Sequence, residues 1–166
     1  MTMEMKFWKD IKSGRFASMV KEASKGQSLS NSKEVYHVMK PLFAEKDDVE
    51  TLHCIFLDGQ NNILAIEKMF SGSISSSVIY PREIIKRVLV LRATAVIVAH
   101  NHPSGSTAPS CEDKSITTKL GIALESIDVQ LHDHIIVGDG FHSMADTGWL
   151  KKASKRFKNL YAHRDT

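Results

Sequence analysis

The chain has 166 residues, with 22 basic and 19 acidic side chains, so its formal net charge is +3. This length suits one domain with a full core and is short for two ordinary domains. Hydrophobic residues make up 42% and charged residues 25%, which is typical of a globular protein and argues against a fibrous or disordered one. The small basic excess permits contact with nucleic acid but does not favour it.

Cysteine usage and apolar patterning bear on the cellular compartment. Cys54 and Cys111 lie far apart, so the sequence predicts neither a disulfide framework nor a thiolate metal site. The first ten residues contain acids and lack the apolar centre of a secretory signal. No apolar stretch reaches the length of a membrane span. We therefore expect a cytoplasmic protein that has no membrane partner.

The first half of the chain predicts helices followed by a β-hairpin. Residues 1–30 suit a helical extension of one or two short helices. Ser30 or Ser32 is a candidate N-cap for a helix that ends or bends at the Lys40-Pro41 step. Residues 50–57 and 63–70 then predict two strands joined by a turn.

The second half predicts helices alternating with strands. Pro81 suits the first turn of a helix, and the apolar run at 95–99 predicts a strand buried on both faces. A helix over 110–127, a strand over 129–137 and a basic helix over 148–163 complete the pattern. The alternation predicts an α/β sandwich with a mixed sheet. We divide the chain into an N-terminal extension (1–30), a main domain (31–150) and a basic tail (151–166).

Two histidines follow the buried strand and carry the main chemical signal. In extended backbone, residues i and i+2 point to the same side, so the imidazoles of His100 and His102 can reach one metal ion. After ten intervening residues, Asp113 falls in the first turn of the next helix. Two nitrogen ligands and one carboxylate oxygen leave a fourth tetrahedral position open, as a catalytic Zn2+ site requires.

Each part of this pattern also has a structural explanation. A His-x-His pair alone is weak, and Ser110-x-x-Asp113 alone is the pattern of a helix capping box. Their combination at a strand end, joined by a Gly/Pro loop, favours a metal site. A capping role for Ser110 is compatible with a functional one.

The same residues resemble a known motif. His100-x-His102-Pro103 followed by Ser110-x-x-Asp113 is similar to the JAMM motif of JAB/MPN metalloprotease-like domains. The strings HNHPSG at 100–105, YPRE at 80–83 and DHIIVG at 133–138 resemble the RadC-type branch of that family, over residues 30–150. The resemblance implies a three-layer α/β/α sandwich with a mixed central sheet, of the cytidine-deaminase-like type. It also implies zinc bound by His100, His102 and Asp113.

The resemblance further implies a catalytic glutamate at the start of the first core strand. Glu50 matches that position, and Glu67 remains the alternative. The implied reaction is hydrolysis of a peptide or isopeptide amide by a zinc-activated water, with Glu50 as the base. Ser110 would donate a hydrogen bond to the developing oxyanion. The expected partner is a peptide or protein substrate, and the oligomeric state is left open.

Several neighbours of the motif are open to more than one interpretation. Asp133 and His134 are either partners that orient a metal ligand or structural residues. We do not expect His132 or Cys111 to be ligands. Asn101, between the two histidines, is expected to shape the loop rather than to react.

A role beside nucleic acid is the competing hypothesis. In that case the chain would be an accessory protein linked to DNA repair, with a structural or differently used zinc site. The basic stretch 151–158, with Trp149, Phe157 and Tyr161 interleaved, could contact phosphates, but we favour a solvated helix whose aromatic side chains pack on the core. RadC-type proteins often carry a helix-hairpin-helix module, and we expect the roughly thirty residues before the shared region to be too short for one. A pseudoenzyme is disfavoured because the motif residues form a full set.

Overall fold

The computed structural model describes residues 1–44, 47–72 and 79–162, and side chains within them except those of residues 157 and 160–162. Residues 71–77 are rich in serine and glycine, which predicts a loop after the hairpin. Residues 73–78 lie outside this description, as do the predictions for the side chains of Phe157 and Tyr161. The elements in chain order are α1 (Met3–Lys12), α2 (Arg15–Ser24), α3 (Ser32–Phe43), β1 (Thr51–Leu57), β2 (Ile63–Ser71), α4 (Pro81–Leu91), β3 (Ala95–Asn101), α5 (Cys111–Glu125), β4 (Gln130–Gly138), β5 (Gly140–Ser143) and α6 (Trp149–Ala162).

The five strands form one mixed sheet in the order β2-β1-β3-β4-β5. The β1–β2, β1–β3 and β4–β5 pairs are antiparallel, whereas β3 and β4 are parallel. Every residue of β1 and of β3 is buried, because these strands lie inside the sheet and both faces are covered. The predicted hairpin and the predicted buried strand are therefore confirmed.

Helices cover both faces of the sheet. On one face, α2 packs through Ala17 and α3 through Val35 against Ile55 and Ile97. On the other face, α4 and α5 pack against a second set of strand residues that includes Phe56. The expected three-layer α/β/α architecture is thus confirmed, with one apolar layer on each side of the sheet.

The boundaries of α3 differ from the prediction. Asn31, not Ser30 or Ser32, is the N-cap, and its side chain accepts a hydrogen bond from the Glu34 amide at 2.9 Å. The helix also passes through Pro41 to Phe43, so of the two predicted outcomes at Lys40-Pro41, an end or a bend, the end is wrong. Burial of the last turn on the core explains the continuation, since Leu42 and Phe43 are both buried.

The strand after Gly138 was also not predicted. The Gly-Asp-Gly sequence at 138–140 predicts only the end of a strand, but it forms a turn that reverses the chain into β5, and Gly140 has φ +106°. At the N-terminus, α1 and α2 confirm the expected short helices. Within the described ranges, no helix is long and apolar enough to cross a bilayer.

Candidate metal centre

The sheet topology brings the start of β1 beside the end of β3. Because the two strands are antiparallel, Leu52 pairs with His100, the second-to-last residue of β3. Glu50 directly precedes β1, and its carbonyl accepts a hydrogen bond from the Gly72 amide at 2.8 Å. The carboxylate of Glu50 and the imidazole of His100 therefore lie at the same edge of the sheet, although they are fifty residues apart in sequence.

Asn101 fixes the backbone on both sides of Glu50. Its side-chain Oδ1 accepts hydrogen bonds from the amide and hydroxyl of Thr51, at 2.7 and 3.1 Å. Its Nδ2 donates to the carbonyl of Val49 at 3.0 Å. The sequence predicted only a loop-shaping role for Asn101. The sequence did contain a signal for this role. Asn101 lies between two ligand candidates on an extended backbone, so its side chain points to the face opposite theirs.

The loop after β3 holds His102 by contacts with β4. The His102 amide donates to the Val137 carbonyl at 2.8 Å, and its ring Nδ1 lies 2.9 Å from the Ser106 carbonyl. A carbonyl oxygen can only accept, so Nδ1 carries the proton and a neutral His102 ring presents an unprotonated Nε2. That nitrogen faces the centre of the site.

Asp113 is held at the first turn of α5 by the predicted capping box. The Ser110 hydroxyl accepts a hydrogen bond from the Asp113 amide at 3.0 Å, and the Ser110 amide donates to Asp113 Oδ2 at 2.8 Å. The structural explanation of Ser110-x-x-Asp113 is therefore confirmed. The box uses one carboxylate oxygen of Asp113 and aims the carboxylate toward the histidines.

Four side chains converge at this edge of the sheet. Candidate ligand atoms of Glu50, His100, His102 and Asp113 all lie within 4.8 Å of one another. The Nε2 atoms of the two histidines are 2.8 Å apart, and they lie 3.1 and 3.4 Å from the oxygens of Asp113. The Glu50 carboxylate is farther away, at 3.8 and 3.9 Å from the same two nitrogens.

This donor set fits a divalent cation. Asp113 is 1% exposed, and among the described residues its Oδ1 is one of the few buried side-chain atoms that accept no hydrogen bond. A buried carboxylate oxygen without a donor is costly unless a cation compensates it. Imidazole nitrogens with carboxylate oxygen are ligands that zinc prefers.

The electrostatics of the cluster favour an ionised carboxylate. Burial alone would raise the pKa of Asp113, but the adjacent imidazoles of His100 and His102 lower it well below its usual range. Conversely, hydrogen bonding to Asp113 raises the pKa of the His102 imidazole. Asp113 is therefore a charged ligand candidate at any physiological pH.

Comparison with known proteins agrees with this geometry. The sequence-family model of the RadC-like JAB domain matches residues 29–149. The chain belongs to this family. A UPF0758 protein of Pseudomonas fluorescens strain SBW25 is 43% identical over 123 residues, covering 74% of this chain and 54% of that relative. A UPF0758 protein of Legionella pneumophila strain Paris is 41% identical over 124 residues, with the same coverages.

A third relative, a UPF0758 protein of Pseudomonas fluorescens strain Pf-5, is 50% identical over 102 residues, which cover 46% of its length. The chain thus spans about half the length of the curated relatives it matches. The matched segment contains the whole four-residue cluster. The RadC-like JAB domain is therefore the part of the chain that carries the candidate metal centre.

Glu67, the alternative base, lies elsewhere in this RadC-like domain. It is in the middle of β2, where its carboxylate makes two contacts of 2.6 and 2.7 Å with the Arg87 guanidinium. Among the residues that the structure describes, the metal-ligand cluster includes Glu50 and not Glu67. The structure therefore brings Glu50, and not Glu67, to the histidines.

The DHIIVG string divides into two roles. Asp133 accepts hydrogen bonds from the His134 and Ala145 amides and from the Ser143 hydroxyl, so it organises the β4–β5 region. His134 contacts His100 directly. Burial lowers the pKa of His134 well below the ordinary value, which favours the neutral form of the ring. His132 contacts Asn61 at 2.9 Å, and the group of possible metal ligands found among the described residues does not include it.

Proposed function

We propose that this chain is a JAMM-type zinc hydrolase that cleaves a peptide or isopeptide amide. The observation that carries the proposal is the convergence of Glu50, His100, His102 and Asp113 at one edge of the sheet of a RadC-like JAB domain. Three of these side chains have the composition of a catalytic zinc site with an open position, and the fourth is a carboxylate suited to proton transfer.

The metal would be held by His100, His102 and Asp113, whose ligand atoms are closest to one another. When bound, zinc would supply Lewis acidity, which lowers the pKa of a water molecule toward about 7. Glu50 lies farther from the imidazole nitrogens and is placed to handle a proton. In this role Glu50 Oε1 accepts the proton of the attacking water and returns it to the leaving nitrogen.

Ser110 is suited to stabilise the oxyanion. Its hydroxyl oxygen accepts a hydrogen bond from the Asp113 amide, and that contact uses a lone pair and not the hydroxyl proton. The proton can therefore be donated to negative charge that develops on the substrate oxygen, which is the function of an oxyanion-hole donor.

The exposure of the four side chains indicates the direction of substrate approach. The side chains of His100 and Asp113 are 0% and 1% exposed, whereas those of His102 and Glu50 are 15% and 19% exposed. The site is thus closed behind His100 and open on the side of Glu50. A scissile amide would enter from that side, next to the proposed base.

Metal analysis combined with a peptide-library cleavage assay tests the proposal. Protein purified without chelator should contain about one zinc per chain, and His100→Ala or Asp113→Ala should lose most of it. His37→Ala, which removes an exposed histidine of α3, serves as the matched control and should retain the metal. Full zinc in both site variants, or cleavage that chelation does not affect, would contradict the proposal.

The competing candidate is a nucleic-acid accessory role, which is favoured by the charge on α6. Lys151, Lys152, Lys155 and Arg156 are all exposed on this helix, and such cations can neutralise phosphates. The metal centre lies on other elements and gives this role no support. We therefore rank it second.

A further inference from the structure

A chain of buried polar contacts lies behind His100, on the side away from the other ligand candidates. His100 Nδ1 is 2.7 Å from His134 Nε2, and His134 Nδ1 is 2.5 Å from Thr117 Oγ1. Thr117 Oγ1 in turn lies 2.5 Å from the backbone carbonyl oxygen of Asp113. His100, His134 and Thr117 are 0%, 1% and 2% exposed, so solvent does not compete for these hydrogen bonds.

The chemistry of the last acceptor sets the donor-to-acceptor direction of every hydrogen bond in this series. The Asp113 carbonyl oxygen can only accept, so the single Thr117 hydroxyl proton is donated there; the Met144 thioether, 3.7 Å away, is a weaker acceptor. Thr117 Oγ1 must then accept from His134 Nδ1. A neutral imidazole has one proton, so His134 Nε2 is an acceptor and His100 Nδ1 is the donor.

We infer that His134 and Thr117 are positioning residues that hold His100 in its Nδ1-protonated tautomer. In that tautomer Nε2 carries no proton, and its lone pair points toward Asp113 and His102 before a cation arrives. The inference rests on the proposed function only in that the cluster binds a divalent metal. The reverse tautomer would leave the buried Asp113 carbonyl without the Thr117 donor and would put a proton where the metal must bind.

This hydrogen-bond relay, formed by His100, His134, Thr117 and the Asp113 carbonyl, also connects the two ligand candidates His100 and Asp113. Its members lie on three different elements. His100 belongs to β3, His134 to β4, and Thr117 to α5, one turn after Asp113. Hydrogen bonds from the outer nitrogen of a ligating histidine fix both its tautomer and its ring orientation, and loss of such a partner typically costs about 10–100-fold in metal affinity. Because the Thr117 hydroxyl donates its proton to the Asp113 carbonyl, its oxygen is left to accept from His134, and the same donor-to-acceptor direction follows for His134 and His100.

Substitutions at Thr117 test the inference, with the adjacent threonine as a control. Thr117→Val removes the hydroxyl at nearly constant shape, and Thr117→Ser restores it. Thr118→Val is the matched control, because the Thr118 hydroxyl also donates to the carbonyl four residues earlier, that of Lys114 at 2.8 Å. It does so outside the relay.

Imidazole-nitrogen NMR of the metal-free protein at about pH 8 gives the first measurement, with the His100 signals assigned by their loss in His100→Gln. We expect His100 to be protonated at Nδ1 and not at Nε2 in the wild type, Thr117→Ser and Thr118→Val. In Thr117→Val we expect a population protonated at Nε2.

Competition with a chelator for Co2+ gives the second measurement. Here Thr117→Val should bind about 10–100-fold more weakly, and the other two variants within a few-fold of wild type.

A wild-type His100 protonated at Nε2 would overturn the inference, as would a Thr117→Val variant with unchanged tautomer and unchanged Co2+ affinity. The wild-type spectrum decides the tautomer by itself, so the inference can be refuted even if Thr117→Val does not fold. Neither measurement uses a substrate. A protein with the expected tautomer and metal affinity that cleaves no peptide would refute the hydrolase and support the relay.

Discussion

Glu50 and Glu67 are chemically equivalent side chains that the fold places in different surroundings. Glu67 makes a two-point ion pair with Arg87, an arrangement that stabilises a fixed carboxylate. Glu50 lies within 4 Å of two imidazole nitrogens at a partly open site. The guanidinium of Arg87 occupies both carboxylate oxygens of Glu67, away from the group formed by Glu50, His100, His102 and Asp113. Glu50 is therefore the better-placed candidate for the proposed base.

This difference gives a prediction for the base. Glu50→Gln keeps the side-chain shape but cannot accept a proton, so we expect zinc content to stay near one per chain while hydrolysis falls by roughly 100-fold or more. The measurement is turnover of a cleaved library peptide, together with elemental analysis of the same sample.

Glu67→Gln is the matched control for that experiment. It should weaken the ion pair with Arg87 but leave turnover nearly intact, because the side chain does not reach the metal-ligand cluster. If Glu67→Gln abolished turnover and Glu50→Gln did not, the role of base would pass to Glu67.

At the scale of elements, the loop that carries His102 is fitted closely against the β4–β5 turn. A methyl group on Gly138 would lie 2.3 Å from the Gly105 carbonyl oxygen and 2.9 Å from the Ser106 carbonyl oxygen. The Asp139 amide donates to that Gly105 carbonyl at 2.7 Å, and Gly105 has φ +84°. Only glycine allows this approach of two backbones.

Gly138→Ala should therefore impair the metal centre from a distance. The added methyl must push the 105–106 backbone away, and Ser106 supplies the carbonyl that orients the His102 ring. We expect metal affinity to fall by about 10–100-fold, as when a partner of a ligand is lost. Chelator competition measures the change.

Gly59→Ala is the control for this substitution. Gly59 lies in the β1–β2 turn, does not have a left-handed φ, and a methyl group there meets nothing within 4 Å. Its metal affinity should match that of the wild type. Equal affinities for the Gly138 and Gly59 variants would show that the fit of the loop does not control His102.

The parts of the site that sequence predicted are those set by local geometry. His100 and His102 share a side because of the two-residue period of a strand, and Ser110 and Asp113 form a capping box because of their spacing in one helical turn. Both features need only neighbouring residues. The buried strand and the hairpin were predictable for the same reason.

The features that the sequence alone did not settle depend on contacts between residues that are far apart in the sequence. The choice of Glu50 over Glu67 follows from the antiparallel register of β1 and β3, and the clamp of Asn101 on residues 49 and 51 spans about fifty residues. Likewise, α3 continues past Pro41 because its last turn is buried on the sheet. In α3, tertiary packing thus overrode a local propensity.

At the scale of the whole molecule, one buried histidine gives stability a pH dependence. His53, on β1, is buried against Phe43, and its Nδ1 is among the described buried atoms without a hydrogen-bond partner. Burial, together with the charges of Lys21 and Lys68, lowers the pKa of His53 from 6.5 to about 3. Between these values the unfolded chain binds a proton that the folded chain does not, so stability is lost as pH falls below 6.5.

Urea unfolding of wild type and His53→Leu between pH 7 and 5 tests this dependence. The wild type should lose up to about 1.4 kcal/mol of unfolding free energy per pH unit relative to the variant, once the pH is below the unfolded pKa. His37→Leu, at an exposed position of α3, should follow the wild-type slope. A constant difference between wild type and His53→Leu across this range would refute the assignment.

The basic helix α6 distinguishes the hydrolase from the nucleic-acid role. Its exposed side chains Lys151, Lys152, Lys155 and Arg156 could neutralise phosphates, and each such contact would make affinity fall with salt. The net charge of the chain is only +3. None of the four candidate metal-site residues, Glu50, His100, His102 and Asp113, lies on α6. We expect changing these four residues to Gln to leave zinc content unchanged, and we expect DNA binding at about 150 mM salt to be weak, with a Kd no tighter than about 10⁻⁶ M.

The control carries the same change of charge at the other end of the chain. Lys6, Lys9, Lys12 and Arg15, all exposed on α1 and α2, are changed to Gln. Fluorescence anisotropy with single- and double-stranded oligonucleotides, across a salt series, then compares the two variants. If α6 is only a solvated helix, both should weaken binding equally, because each removes four cations from a non-specific field. A Kd near about 10⁻⁸ M is typical of specific complexes. If the protein binds DNA this tightly, and only the α6 variant loses the binding, the nucleic-acid role would rank ahead of the hydrolase.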